Sequence, residues 1–243
     1  MKPLFFVHIP KTGGTSLMVQ ANQQGLKWGQ FNPLYTNQPF KHHQPLQWFI
    51  SEWKTTARVI IETHELFAVL RDPVQRFISD IKWHIEKRPE THRAFGYTRE
   101  ALEKDIRPFV NDVLDIIESL ETDLIKPIPN GCIPFKVRRR LQKMVIQKTG
   151  LKKFGYAHFL PQHIFCEYNG EEIISRYFDL NNLSDLADYL KVRGIHFSVQ
   201  KNYNSSQIDI QLNEDDIHRV LHVYAKDVRF FEAKCSVRAT EAT

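Results

Sequence analysis

Residues 4–17 read Leu4-Phe5-Phe6-Val7-His8-Ile9-Pro10-Lys11-Thr12-Gly13-Gly14-Thr15-Ser16-Leu17, a hydrophobic run that turns through glycine into a helical pattern. The apolar run over 4–9, broken only by His8, has the composition of a strand buried on both faces. The residues after the turn predict a helix over 15–24 that closes near Gly25. Strand, glycine turn and helix in that order make a cradle for an anion. Gly13 and Gly14 let the main chain approach closely, and the helix start offers N–H groups and the positive end of its dipole. Lys11 and the hydroxyls of Thr12, Thr15 and Ser16 add charge and donors. In the Walker A pattern the lysine follows the glycines, whereas here it precedes them. A nucleotide with an anionic 5′ end is the expected guest. His8, inside the strand, reads as a core or edge histidine.

The 243 residues fit one α/β domain spanning 1–243. Hydrophobic content of 42% and charged content of 25% exclude disordered and fibrous classes. The net charge of +5 favours an anionic ligand but is too mild to indicate nucleic acid, which is not expected as a partner. Cys132, Cys166 and Cys235 are odd in number and form no Cys-x-x-Cys pair, so neither a disulfide framework nor a zinc site follows from them. A reducing, cytoplasmic setting is expected. There is no signal-peptide pattern, and no apolar run approaches the roughly 20 residues needed to span a bilayer.

Further along, apolar spacing predicts a helix over 45–54, strands over 58–62 and 65–70 or one bent strand across both, and a helix over 74–86 after Asp72-Pro73. Helices are also expected over 110–124, 136–148, 183–191 and 215–231, with a late strand over 172–178. Alternation of strands and helices argues for a P-loop-like, three-layer α/β fold: a mostly parallel central sheet flanked by helices, with a helical insertion.

A second informative block is Leu66-Phe67-Ala68-Val69-Leu70-Arg71-Asp72-Pro73-Val74-Gln75-Arg76-Phe77-Ile78-Ser79-Asp80. Its strand delivers Arg71 to the carboxyl edge, where ligands of open α/β sheets gather, and the next helix carries Ser79 back toward that edge. Arg71 suits bidentate grip of a phosphate, with the Ser79 hydroxyl beside it. Arg76 reads as structural, paired with Asp72.

With both blocks in hand, the sequence resembles the sulfotransferases that use 3′-phosphoadenosine 5′-phosphosulfate (PAPS), particularly their bacterial and carbohydrate-modifying branch. The resemblance implies that Lys11, Thr12, Gly13, Gly14, Thr15 and Ser16 bind the 5′-phosphosulfate, and that Arg71 and Ser79 bind the 3′-phosphate. It extends to His158-Phe159-Leu160-Pro161-Gln162, similar to a His-x-x-Pro-Gln segment, and to Tyr224, Asp227 and Phe231 in the closing helix. It implies sulfuryl transfer to a hydroxyl of a carbohydrate or similar polar acceptor, with 3′-phosphoadenosine 5′-phosphate (PAP) as product.

Such transfer needs charge stabilisation at the departing phosphate, a task for Lys11 and the helix N–H groups, and no metal. It also needs a base for the acceptor proton. His43 is favoured for this, then His42, with His64 as a further choice because it precedes Arg71 by only seven positions. His158 and His163 are candidates for lining the acceptor cleft. The basic run Lys136, Arg138, Arg139, Arg140 and Lys143 is either a solvated helix face or an acceptor surface. Two other functions share these features: a P-loop nucleotide kinase, and a non-catalytic polyanion-binding protein of the same fold.

Overall fold

The computed structural model describes residues 1–26, 45–46, 54–124, 156–168, 171–199 and 208–236. In chain order its elements are β1 (Leu4–Val7), α1 (Gly14–Gln23), α2 (Lys54–Thr63), β2 (Glu65–Leu70), α3 (Pro73–Lys87), α4 (Pro89–Ala94), α5 (Arg99–Lys104), α6 (Arg107–Leu124), α7 (Tyr156–Phe159) and α8 (Gln162–Cys166). They continue with β3 (Glu167–Tyr168), β4 (Glu171–Glu172), β5 (Arg176–Asp179), α9 (Ser184–Lys191), α10 (Glu214–Val223) and α11 (Ala225–Phe231), which ends in a π-helical turn, Glu232–Ser236. They form two compact units. The first comprises Met1–Asp72, Pro161–Ser205 and Lys226–Thr243; the second comprises Pro73–Leu160 and Ser206–Ala225.

The first unit is built on a parallel sheet of order β1-β2-β5. Phe5 pairs with Leu66 and Val7 with Ala68, while Ala68 pairs with Tyr177 and Leu70 with Asp179. Because β1 and β2 are buried on both faces, they read as unbroken apolar runs without alternation. On one face Leu4, Phe6, Phe67, Val69 and Phe178 pack with Leu17 and Ala21 of α1 and with Leu186 and Leu190 of α9. Each large side chain removed from water there contributes roughly 1.5–3 kcal/mol. A short antiparallel pair, β3 with β4, lies outside this sheet.

The second unit is helical. Its buried residues include Phe77, Ile81 and Ile85 of α3, Phe109, Val110, Val113 and Leu114 of α6, and Val220 and Val223 of α10. Arg76, expected to be structural, is buried and donates to the carbonyls of His158 (2.9 Å) and Leu160 (2.7 Å). The Tyr224 hydroxyl donates to the Phe159 carbonyl at 2.6 Å, so α3 and the residue that follows α10 both hold the segment around α7.

Three sequence expectations need correction. Residues 58–62 form the end of α2, not a strand: Ile60 is buried while Val59 is 51% exposed, and Arg58 pairs with Glu62 one turn on. That one-sided burial is helical, and it outweighs the β-branched composition of Val59-Ile60-Ile61. The closing helix is two helices parted at Tyr224, and the late strand is limited to Arg176–Asp179. The helix expected over 136–148 lies outside the described residues.

Candidate functional site

In a parallel sheet every strand delivers its carboxyl end to the same edge, here Val7, Leu70 and Asp179. The turn after Val7 is sharp. Lys11 has a positive φ of 66°, rare for a residue with a side chain, and Gly13 follows at 81°. The Thr12 hydroxyl donates to the Ile9 carbonyl at 2.9 Å, and Thr12 is fully buried, so its side chain braces the turn from within.

Gly13 is required by its positive φ of 81°, and Gly14 by packing. A Cβ on Gly13 would lie 2.7 Å from Leu180 Cδ1, and one on Gly14 only 2.0 Å from the His8 ring. His8 is buried and stacked on Phe6 with ring centroids 5.7 Å apart, which places it in the core as its sequence context suggested. Gly13 caps α1 without any side-chain hydrogen bond, and its carbonyl accepts from Ser16 N (3.0 Å) and Leu17 N (3.2 Å). The N–H groups of Gly14 and Thr15, ahead of these bonds, are the ones a helix start presents to an anion. Thr15 and Ser16 are half-buried beside them.

Arg71, directly after β2, arrives at the same place. Its Nη1 donates to the Lys11 carbonyl at 3.3 Å. The main chain of Arg71 is fixed by the fully buried Gln162, whose Oε1 accepts Arg71 N at 3.0 Å and whose Nε2 donates to Arg71 O at 2.7 Å. Gln162 is anchored in turn by the buried carboxylate of Asp227, which accepts from Gln162 N at 2.7 Å and from His163 N at 2.9 Å. The His163 Nδ1 stands 2.9 Å from the same carboxylate. An anion at the first turn of α8 meets two unpaired helix N–H groups and the helix dipole, which compensates its burial. Asp227, Gln162 and Arg71 thus form a relay into the loop at 10–16. Sequence reasoning placed Gln162 and Asp227 only within resembling segments, since their bonds join positions far apart in the chain.

The remaining expected residues fall as follows. His64 stands at the opposite edge of the sheet from Arg71. It precedes β2 and Arg71 follows it, so the six residues of β2, about 20 Å of strand, lie between them. Desolvation also lowers its pKa below the ordinary histidine value. A base there cannot serve the loop, and the short sequence separation misled because it counted residues along a strand that runs straight from one edge to the other. His163 is 2% exposed and committed to Asp227, which makes it part of the scaffold and not of a cleft lining. His158 is partly buried, its Nδ1 2.9 Å from Asp80 Oδ1. Ser79 is half-buried on α3. His42 and His43 lie outside the described residues. Burial pushes the Cys166 thiol up, keeping it protonated.

A family model described as the sulfotransferase family matches residues 2–232, a span that takes in the glycine loop, Arg71, Gln162 and Asp227. The chain belongs to the sulfotransferase family. This sulfotransferase matches no curated protein and no solved structure. Family membership makes it an enzyme that transfers a sulfuryl group between a donor and an acceptor. Among the described residues of the sulfotransferase, no helix is long and apolar enough to cross a membrane.

Proposed function

We propose that this sulfotransferase moves a sulfuryl group from PAPS to a hydroxyl of a carbohydrate or similar polar acceptor, by in-line transfer with a histidine base. The observation that supports the reading is the hydrogen bond from Arg71 Nη1 to the Lys11 carbonyl, which ties the arginine after β2 to the main chain of the glycine loop. Lys11, Thr12, Gly13, Gly14, Thr15 and Ser16 serve the 5′-phosphosulfate, and Arg71 with Ser79 the 3′-phosphate. Thr12 contributes by shaping the turn, since its hydroxyl is bonded inside it. As the S–O bond to the phosphate breaks, negative charge grows on the departing oxygen. The Lys11 ammonium and the N–H groups of Gly14 and Thr15 stabilise that charge without reorganising. His43, or its neighbour His42, takes the acceptor proton. The reading treats 1–243 as one P-loop-like sulfotransferase domain in the cytoplasm, with its helical stretch as an insertion.

Calorimetry on the full chain tests this. PAP alone should bind one to one without magnesium, and transfer of sulfate from PAPS should follow with a polar acceptor. Magnesium-dependent ATP binding without PAP binding would make the protein a kinase. Binding of sulfated polymers that survives Lys11→Ala, with no transfer to any acceptor, would make it a polyanion-binding protein.

A further inference from the structure

Within the helical unit, Asp80 and His84 stand four residues apart on α3, hence on one face of the helix, and His158 reaches them from α7. One carboxylate oxygen of Asp80 and one ring nitrogen from each histidine lie within 4.8 Å of one another. Asp80 and His84 are each 1% exposed, and the His158 side chain is 14% exposed.

The imidazole planes are fixed by stacking. His158 lies flat on Trp83 (centroids 4.5 Å apart, 16° between planes), and His84 lies flat on Phe159 (4.9 Å, 15°). The two imidazole centroids are 5.8 Å apart at 72°. His84 Nδ1 is 3.2 Å from Thr91 Oγ1, the kind of outer contact that sets a ligating ring's tautomer. Asp80 Oδ1 meets His158 Nδ1 at 2.9 Å, while Asp80 Oδ2 is buried with no hydrogen-bond partner. An enclosed carboxylate with an unused oxygen is unfavourable unless a cation or a donor reaches it.

We propose that Asp80, His84 and His158 bind one zinc-like transition-metal ion, a structural tie between α3 and α7. Two imidazoles and a carboxylate suit zinc, whereas magnesium and calcium favour all-oxygen sets. Zinc takes nitrogen and oxygen donors at about 2.0–2.2 Å in a tetrahedron, which puts donors ~3.3 Å apart. The three donors, within 4.8 Å of one another, draw in to that spacing when the ion is held. The proton shared by Asp80 and His158 leaves as the metal enters, and water fills the fourth position.

The test uses the full chain, stripped of metal by a chelator that is then removed, and titrated with Co2+ alone and with Zn2+ alone. One equivalent of Co2+ should give the intense visible bands of a four-coordinate site, and one equivalent of Zn2+ should bleach them and raise Tm. Asp80→Asn and His84→Gln should each weaken zinc binding by about 100-fold or more. His218 and His222, exposed and four residues apart on α10, are the adventitious alternative; replacing both with Ala should leave the tight site intact. Absence of stoichiometric binding, a purely six-coordinate Co2+ spectrum, or tight binding that survives His84→Gln would overturn the proposal. If either ligand variant fails to fold, the wild-type Co2+ spectrum and the His218→Ala/His222→Ala variant decide.

Discussion

Gln162 grips the main chain of Arg71 from both sides, accepting its N–H at 3.0 Å and donating to its carbonyl at 2.7 Å. Gln162→Ala removes both bonds from a buried position and leaves the Arg71 amide groups unpaired, a loss of about 1–3 kcal/mol. The Kd for PAP should rise about tenfold, measured by calorimetry on protein shown folded by circular dichroism. Gln162→Glu keeps the acceptor but sets an oxygen against the Arg71 carbonyl, so it should rescue little.

Lys11→Ala and Arg71→Ala should each weaken PAP binding by about 2 kcal/mol, near 30-fold, because a charge-assisted contact to phosphate is lost. Arg71→Lys keeps the charge without the planar fork and should recover only part of it. Unchanged Kd values in both alanine variants would detach these residues from the donor.

Asp227→Asn should lower stability by about 1.5–3 kcal/mol, since the buried carboxylate accepts from two main-chain N–H groups and stands at hydrogen-bonding distance from His163 Nδ1. Urea unfolding measures it. A shift below 0.5 kcal/mol would show that the carboxylate does not anchor α8.

Gly14→Ala puts a methyl group 2.0 Å from the His8 ring, so the ring or the turn must move at a cost of about 1–3 kcal/mol. His8→Ala in the same chain vacates that space. The double variant should therefore be more stable than the sum of the single losses, a coupling that thermal or urea melts of all four proteins would reveal.

The Tyr97 hydroxyl donates to Asp112 at 2.8 Å, and desolvation, followed by that hydrogen bond and the Asp112 charge, pushes its pKa up to about 12. A folded-state pKa raised above the unfolded value of about 10 gives stability that is fully present below pH 10 and is lost as pH rises toward 12. Tyr97→Phe should flatten the alkaline limb of the stability profile over that interval. The titration of tyrosine absorbance should lose its late component from this residue.

The parts of the fold legible in the sequence were those fixed by local pattern. Strands buried on both faces print as the apolar runs 4–7 and 65–70, and a turn that excludes Cβ atoms prints as Gly13-Gly14. Arg71 was legible because a strand end is legible. The segment 58–62 misled because β-branched composition says less than which face is buried. His64 misled because proximity in sequence becomes distance across a strand. Gln162 and Asp227 act through bonds to positions brought close only by folding, and no local spacing announces such pairings. The Asp80, His84 and His158 cluster escaped for the same reason, since cysteine spacing was the signal available for metals and it contains no cysteine.

The unit that carries the anion-binding loop is drawn from three separate stretches of chain, and its last stretch holds Asp227. A ribosome making this protein releases Lys11 and Arg71 well before Asp227, the residue that braces their scaffold. The nascent chain therefore exposes both cationic side chains before they are pinned. A premature stop just short of position 227 would yield a polypeptide that contains every expected donor-binding residue and lacks the carboxylate that anchors Gln162 behind Arg71.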